Sequence, residues 1–290
     1  MATRLVAVNV IVFLLVNIVG VVLWLANADA QTFNTASETV IDFLGVPSSL
    51  DHLLVRPWTL ITYAFTHQQF LHLLFNMLML YWFGNILADF AGNKRILPVY
   101  VLGALVGAVI FIAGYNLLPV LRAGIGLPMI GASAGVLALV VAAATLVPDY
   151  SIVLFLIGSV KLKWLALALV IIDIISLPLS NAGGHLAHLG GALSGFIYIT
   201  QLRRGRDFGK WIHQTAEYAS NPRLPSNLRT VHKSNKPIIT KSTHATSQQL
   251  KDLRTVEDQL DKILDKISQS GYESLTKDEK DFLFRYSNKS

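Results

Sequence analysis

Long apolar stretches separated by short polar segments dominate the first two hundred residues. The hydrocarbon core of a bilayer is about 30 Å thick and needs about 20 apolar residues in a helix. Six stretches meet this demand, at about residues 5–26, 70–90, 96–116, 129–147, 163–179 and 185–201. The pattern predicts an all-α membrane protein whose first 204 residues form a six-transmembrane-helix bundle.

The remaining sequence changes character twice. Residues 205–247 are rich in Ser, Thr, Asn and Pro without periodicity, which predicts a flexible linker. Apolar residues return at helical spacing in residues 248–290, Gly271 suits a helix end, and Thr276 with Glu279 forms a possible capping box. We expect a small helical hairpin that either packs on itself or serves as a docking or dimerising element.

Charge supports the membrane assignment and predicts an orientation. Charged residues make up 14% of the chain, whereas soluble domains average about 25%. The excess of positive charge comes from residues 201–290, which hold 17 Lys/Arg against 11 Asp/Glu. Lys and Arg favour the cytoplasmic ends of spans. One set of span ends carries only Arg56 and Arg122, and the other carries Arg4, Lys94, Arg95, Lys161, Lys163, Arg203, Arg204, Arg206 and Lys210.

This distribution predicts a multi-pass protein of the cell membrane with both termini in the cytoplasm. The first span also resembles a secretory signal, because Ala28-Asp29-Ala30 is similar to a cleavage site. Its apolar stretch is longer than the usual signal of about 7–15 residues, which favours a retained span. The absence of cysteine excludes disulfides, thiolate nucleophiles and Cys-ligated metals.

Polar residues inside the predicted spans gather at one depth. The second span begins near His67, His72 and Asn76. The fourth span begins near Ser133 and the sixth near His185 and His188, and glycines flank these three residues. All three spans run from outside to inside, so these groups lie just below the outer surface. Polar groups are costly in hydrocarbon, and their clustering therefore indicates a functional site.

Ser133 and His188 have the chemistry of nucleophilic acyl transfer. Small residues on spans four and six, with Gly191 and Gly195 on the face of His188, allow close helix approach in lipid. A serine needs a neighbouring base to accept its proton, and the oxyanion needs preorganised donors. The Ser133 backbone N–H, free at a helix N-terminus, and the side chains of His72 and Asn76 are the candidate donors.

Three motifs in this order resemble the rhomboid family of intramembrane serine proteases. His72-Leu73-Leu74-Phe75-Asn76 is similar to the family's HxxxN motif, Gly131-Ala132-Ser133-Ala134 to GxSG, and Ala187-His188-Leu189-Gly190-Gly191 with Gly195 to AHxGGxxxG. Trp58 and His67 also suit the family's outer loop. The similarity covers about residues 5–203. Departures are Ala134 in place of a glycine, Leu137 in place of an aromatic residue and Thr59 in place of an arginine.

The resemblance implies a bacterial-type, six-span serine endopeptidase with a Ser133–His188 dyad and no catalytic aspartate. It implies cleavage near the outer end of a single-span substrate's transmembrane helix, without metal, ATP or other cofactor. The expected partners are such substrates and the lipid bilayer, and not nucleic acid. His188 is the base by the motif, which leaves His185 as a rim residue or supporting donor.

Three other hypotheses remain open. A metal-dependent membrane enzyme would use His72, His185, His188 and Asp173 as ligands, although no HExxH motif is present. A non-catalytic rhomboid-like protein would bind membrane clients, but would have no need of Ser133 with His188. A transporter is less favoured because Asp173 is the only charge deep in a predicted span; an intramembrane carboxylate suggests function, but the sequence assigns it no catalytic role.

Overall fold

The computed structural model describes residues 1–27, 30–154, 158–220, 259–267 and 270–287. Contacts divide the chain into two compact units, Met1–Leu224 and Pro225–Ser290. The helices of the first unit are α1 Ala2–Asn27, α2 Ala30–Leu44, α3 Leu50–Val55, α4 Thr59–Thr62, α5 Phe70–Ala91, α6 Ile96–Leu117, α7 Ser133–Leu146, α8 Leu162–Ser176, α9 Ala182–Arg203 and α10 Lys210–Ser220. Two antiparallel pairs of strands accompany them, β1 Val46–Pro47 with β2 Pro128–Met129, and β3 Ser151–Leu154 with β4 Gly158–Lys161.

The predicted all-α class is confirmed, with helices at all six apolar stretches. By length and composition, three helices of the described residues can cross a membrane, over Ala2–Ala26, Phe70–Ala91 and Asn93–Leu117. Large apolar side chains on their outer surfaces are exposed, as at Leu15 and Phe75. Such surfaces suit lipid contact. The other three predicted spans correspond to α7, α8 and α9, and their crossing stays a prediction.

Helix α7 lies at the centre of the first unit. It spans only 14 residues, about 21 Å at the α-helical rise, which is shorter than the hydrocarbon core. Ten of its residues are buried, and it packs against α5, α6, α8 and α9. Four neighbouring helices therefore enclose most of its side chains.

Glycines, which have no side chain, allow α6, α7 and α9 to approach one another closely. A Cβ added at Gly191 would lie 2.0 Å from the Ala134 carbonyl oxygen, and one at Gly195 would lie 2.2 Å from that of Ala138. On α6, a Cβ at Gly107 would lie 2.7 Å from the Cβ of Ala134. The backbones are therefore nearly in contact, as expected for small-residue packing in membranes.

The segment between α1 and α5 is structured and joins the centre of the bundle. It contains α2, α3, α4 and a 3₁₀ turn over Tyr63–Phe65. Its strand β1 pairs with β2, just before α7, with Val46 opposite Met129. The Tyr63 hydroxyl donates to the Ala104 carbonyl oxygen of α6 at 2.7 Å. These contacts hold the segment between α1 and α5 against α6 and against the residues that lead into α7.

The flexible linker predicted over 205–247 begins too early. Residues 210–220 form α10, in which Ile212 is buried. A Cβ at Gly209 would lie 2.3 Å from Pro98 of α6, so this helix start packs tightly on the bundle. The polar composition of these residues suggests a linker, but a helix that packs on a protein surface needs only one apolar stripe. The rest of the predicted linker lies outside the described residues.

The second unit contains helical residues 259–267 and a further helix, α11 Lys277–Ser287. The predicted capping box is confirmed, since the Thr276 N–H donates to Glu279 Oε2 at 2.7 Å and the Glu279 N–H to Thr276 Oγ1 at 3.4 Å. Gly271 ends the preceding helix with a φ of 77°. Lys266 Nζ lies 2.9 Å from Glu279 Oε2, joins the two helices and lowers the pKa of Glu279. The first part of the predicted apolar stripe lies outside the described residues.

Gly191→Ala tests the packing of α9 on α7. The added methyl group would clash with backbone, which must move, so we expect a loss of stability of about 1–3 kcal/mol. Thermal unfolding of the detergent-solubilised protein measures it. Leu193→Phe, which adds volume at a residue 50% exposed on the same helix, is the matched control. Equal unfolding temperatures for Gly191→Ala and wild type would contradict the close approach.

Candidate active site

Ser133 is the first residue of α7, and the preceding backbone is held in a fixed conformation. Gly131 has a φ of 122°, which favours glycine, and its N–H donates to the Tyr63 carbonyl oxygen at 2.9 Å. The Ala132 N–H donates to Nε2 of His67 at 3.2 Å. The Ser133 N–H has no intrahelical acceptor because it lies in the first turn. The serine hydroxyl and a free backbone donor therefore stand side by side.

His188 lies within hydrogen-bond distance of this serine. Its Nε2 is 2.7 Å from Ser133 Oγ, although the two residues are 55 positions apart in the chain. His188 is carried by α9, whose Gly191 and Gly195 pack against α7. The structure thus brings together the two residues that the motifs single out as nucleophile and base.

A carboxylate completes this cluster from α8. Asp173 Oδ1 lies 2.8 Å from His188 Nδ1 and 2.7 Å from His185 Nδ1. Its side chain is only 10% exposed. Sequence reasoning assigned Asp173 no catalytic role; its position as a lone charge inside an apolar span was the signal available. His185, predicted as a rim residue or supporting donor, contacts the carboxylate and not the serine.

His72 and Asn76 share α5 but have different surroundings. A Cβ at Gly131 would lie 3.2 Å from His72 Nε2 and 3.8 Å from Ser133 Oγ, so the imidazole edge faces the start of α7. The Asn76 amide instead donates to the His72 carbonyl oxygen within its own helix, at 2.9 Å. His72 is therefore adjacent to the serine, while the predicted role of Asn76 as an oxyanion donor stays a prediction.

A cavity of about 510 Å³ lies beside the serine. Its lining includes His72, Gly131, Ser133 and His188, together with Asn181 at the start of α9. Trp58 is not among the lining residues; its indole N–H donates to the Phe43 carbonyl oxygen at 3.0 Å, and the two rings are in contact at a tilt of 44°. The tryptophan thus links the end of α2 to the start of α4.

Asp173, His185 and His188 are also a conceivable metal-binding group. One ligand atom of each lies within 4.8 Å of the others. His72, the fourth ligand of the metal hypothesis, is not in this group among the residues that the structure describes. The short distances between carboxylate and imidazoles fit direct hydrogen bonds, which satisfy these polar atoms without a metal.

The sequence is similar to two known protein families. A Rhomboid domain matches residues 55–205, and a family of unknown function, DUF6576, matches residues 251–289. The chain is 31% identical over 161 residues to RHOMBOID-like protein 12, mitochondrial, of Arabidopsis thaliana, covering 52% of this chain and 48% of that protein.

Two further relatives cover a similar part of the chain. Identity is 31% over 139 residues to the Presenilin-associated rhomboid-like protein A, mitochondrial, of Danio rerio, with 47% of this chain and 35% of that protein covered. It is 34% over 137 residues to Rhomboid protein 1, mitochondrial, of Saccharomyces cerevisiae, with 47% and 39% covered. The chain thus spans less than half the length of each relative. Because the Rhomboid domain matches more than half of this membrane-embedded, multi-pass chain, the protein belongs to the rhomboid family.

Proposed function

We propose that this protein is an intramembrane serine endopeptidase in which Ser133 is the nucleophile and His188 the general base. The 2.7 Å hydrogen bond between Ser133 Oγ and His188 Nε2 carries the proposal. A serine hydroxyl attacks a carbonyl only when a base removes its proton, and this contact supplies the base at the required distance. Family membership supports the same reaction class.

The proposed reaction has two stages. The Ser133 oxygen bonds to the scissile carbonyl carbon while its proton passes to His188 Nε2. The tetrahedral intermediate then expels the amine, which receives the proton from His188, and an acyl-enzyme remains. In the second stage, a water molecule attacks the ester carbon while its proton passes to His188 Nε2. The second tetrahedral intermediate then releases the carboxylic acid product, and His188 returns the proton to Ser133 Oγ.

Negative charge on the carbonyl oxygen needs donors that are already in position. The Ser133 N–H and the His72 side chain are the proposed donors. His72 supports this role because its ring faces Gly131 next to the serine. Preorganised donors stabilise the transition state most where water is excluded, as within a helix bundle.

Membrane proteins are the proposed substrates, and single-span proteins are the finer proposal. In an intact helix, each interior carbonyl is bonded to an N–H four residues on and is surrounded by side chains. Attack by Ser133 therefore requires a locally unwound segment, which the cavity beside the serine would receive. Helices with Gly or Pro near the cleavage point should be preferred, because these residues lower the cost of unwinding.

We also propose a cell-membrane location with both termini in the cytoplasm and the site near the outer face. The Lys and Arg residues support it, because one set of span ends carries most of them, and such an excess is typical of the cytoplasmic side. Lys161 and Lys163, for example, contact Asp149 beside the hairpin β3–β4, which follows the opposite end of α7 from Ser133.

Substitution of the two reacting residues tests the mechanism. We expect Ser133→Ala, His188→Ala and the double variant to lose cleavage of a single-span substrate in vesicles to the same background level, because residues that act as a unit are not additive. Thr145→Val, at the other end of α7, removes a hydroxyl bonded to its own helix and should retain activity. Residual activity that differs between the single and double variants would overturn the shared mechanism.

His72 and Asn76 should differ in their effects. His72→Ala should lower kcat by about 10²-fold, as for the loss of an oxyanion donor. Asn76→Ala should lower it less than about tenfold, because its amide bonds to its own helix. Kinetics with the same substrate measure both. A loss from Asn76→Ala equal to that from His72→Ala would show that the amide reorients during the reaction.

We expect His67 to make the stability of the protein depend on pH. Burial, with a contribution from neighbouring His72, lowers the pKa of His67 to about 4, and the neutral ring accepts from the Ala132 N–H. The unfolded state therefore takes up this proton first, so the contribution is constant above about pH 6.5 and stability falls below it. The slope approaches about 1.4 kcal/mol per pH unit between pH 6 and 4.

The comparison of His67→Gln with wild type isolates this effect. Glutamine retains an acceptor for the Ala132 N–H and does not titrate. The unfolding free energy of wild type minus that of His67→Gln should therefore decrease as pH falls from 6.5 to 4.5. Unfolding in mixed detergent micelles at several pH values measures it. Parallel curves would show that His67 is not the titrating group.

A further inference from the structure

A single carboxylate oxygen joins two imidazoles behind the proposed general base. Asp173 Oδ1 contacts His188 Nδ1 and His185 Nδ1, while His188 Nε2 contacts Ser133. Asp173 comes from α8 and both histidines come from α9. A carboxylate within an apolar helix is costly and persists where it is paired and used.

One set of protonation states satisfies this cluster. If Asp173 is ionised, both Nδ1 atoms carry hydrogen and donate to it. His188 Nε2 is then unprotonated and accepts the hydrogen of Ser133 Oγ. The other neutral tautomer of His188 would direct a lone pair at the carboxylate and an N–H at the serine. We assign the first tautomer from this network, and it is the tautomer that a general base requires.

We propose that Asp173 is a positioning residue that orients His188 and stabilises the imidazolium formed when Ser133 loses its proton, and that His185 holds Asp173 in place. This inference rests on the proposed function. The proton moves only from Ser133 Oγ to His188 Nε2, and Asp173 stays ionised throughout. The polar chain therefore runs from His185 through Asp173 and His188 to Ser133.

Two other roles would produce the same contacts. Asp173 could serve only to hold α8 against α9, since hydrogen bonds between helices stabilise membrane bundles modestly. The same three side chains could instead bind a metal. If Asp173 only joins the two helices, its substitution should lower stability without changing the chemistry. If the three side chains bind a metal, chelators should abolish activity.

Asp173→Asn is the decisive variant, because it keeps the shape and removes the charge. In vesicles with a single-span substrate, we expect kcat to fall about 10²–10⁴-fold, as when the carboxylate of a serine-protease triad becomes an amide. KM should change less than about threefold, because the carboxylate does not contact substrate. The acidic limb of the pH–rate profile should move to lower pH, because the imidazolium has lost its counter-charge. Asp173→Glu should restore part of kcat.

His185→Leu and Thr145→Val complete the series. His185→Leu should lower kcat about 3- to 30-fold, as it removes one of the two donors that hold Asp173, whereas Thr145→Val should match wild type. A purely structural role is indicated if Asp173→Asn lowers the unfolding temperature but leaves kcat and the pH profile unchanged, and this would overturn the inference. Loss of wild-type activity on chelation, restored by Zn²⁺, would overturn it as well.

The controls separate failure of this inference from failure of the proposed function. If Ser133→Ala is inactive while Asp173→Asn has wild-type kcat, the serine mechanism stands and the positioning role fails. If Ser133→Ala retains activity, the proposed function fails. Labelling of Ser133 by a fluorophosphonate probe gives a second readout, because Asp173→Asn should slow the labelling while leaving the serine accessible.

Discussion

The contact of α9 with α7 is the constraint on which the site depends. A Cβ at Gly191 or Gly195 would lie within 2.2 Å of an α7 carbonyl oxygen, so the two backbones meet directly. Without that approach, His188 could not lie 2.7 Å from Ser133. In lipid, no hydrophobic driving force holds helices together, and close backbone packing must supply the attraction. The absence of a side chain at these two glycines therefore sets the distance between Ser133 Oγ and His188 Nε2.

The same apolar surroundings explain why the polar groups form a chain. An unpaired polar group costs several kcal/mol in hydrocarbon, so a histidine buried to accept a proton also needs a partner for its other nitrogen. Asp173 is that partner, and His185 is the second donor to its oxygen. In water these residues could be solvated individually. In the bundle, each group is satisfied by the next.

The contact between Ser133 and His188 could be predicted from the sequence, whereas the contacts of Asp173 could not. Ser133, His188 and the glycines are readable because each lies within a short motif whose spacing is local. The contacts of Asp173 depend on the register between α8 and α9, which apolar periodicity leaves undetermined. The only signal in the sequence is that a carboxylate within an apolar span is costly and therefore suggests a function. Asn76 was grouped with His72 because they are one helical turn apart, but its amide has an acceptor in its own helix. The start of the predicted linker was wrong because a short amphipathic helix, α10, has a polar composition.

Helix direction gives the site a further electrostatic bias. Gln69 precedes α5, Ser133 begins α7 and Ala182 begins α9, and all three line the same cavity. A helix N-terminus carries a partial positive charge that acts mainly within its first turn. An oxyanion that forms at Ser133 would lie within this range, whereas Asp173 lies in the last turn of α8, where the partial charge is negative. The two imidazole donors offset that disadvantage for Asp173. The alternation of helix direction thus favours negative charge near Ser133. The carboxylate of Asp173, at the other end of its helix, depends instead on hydrogen bonds from His185 and His188.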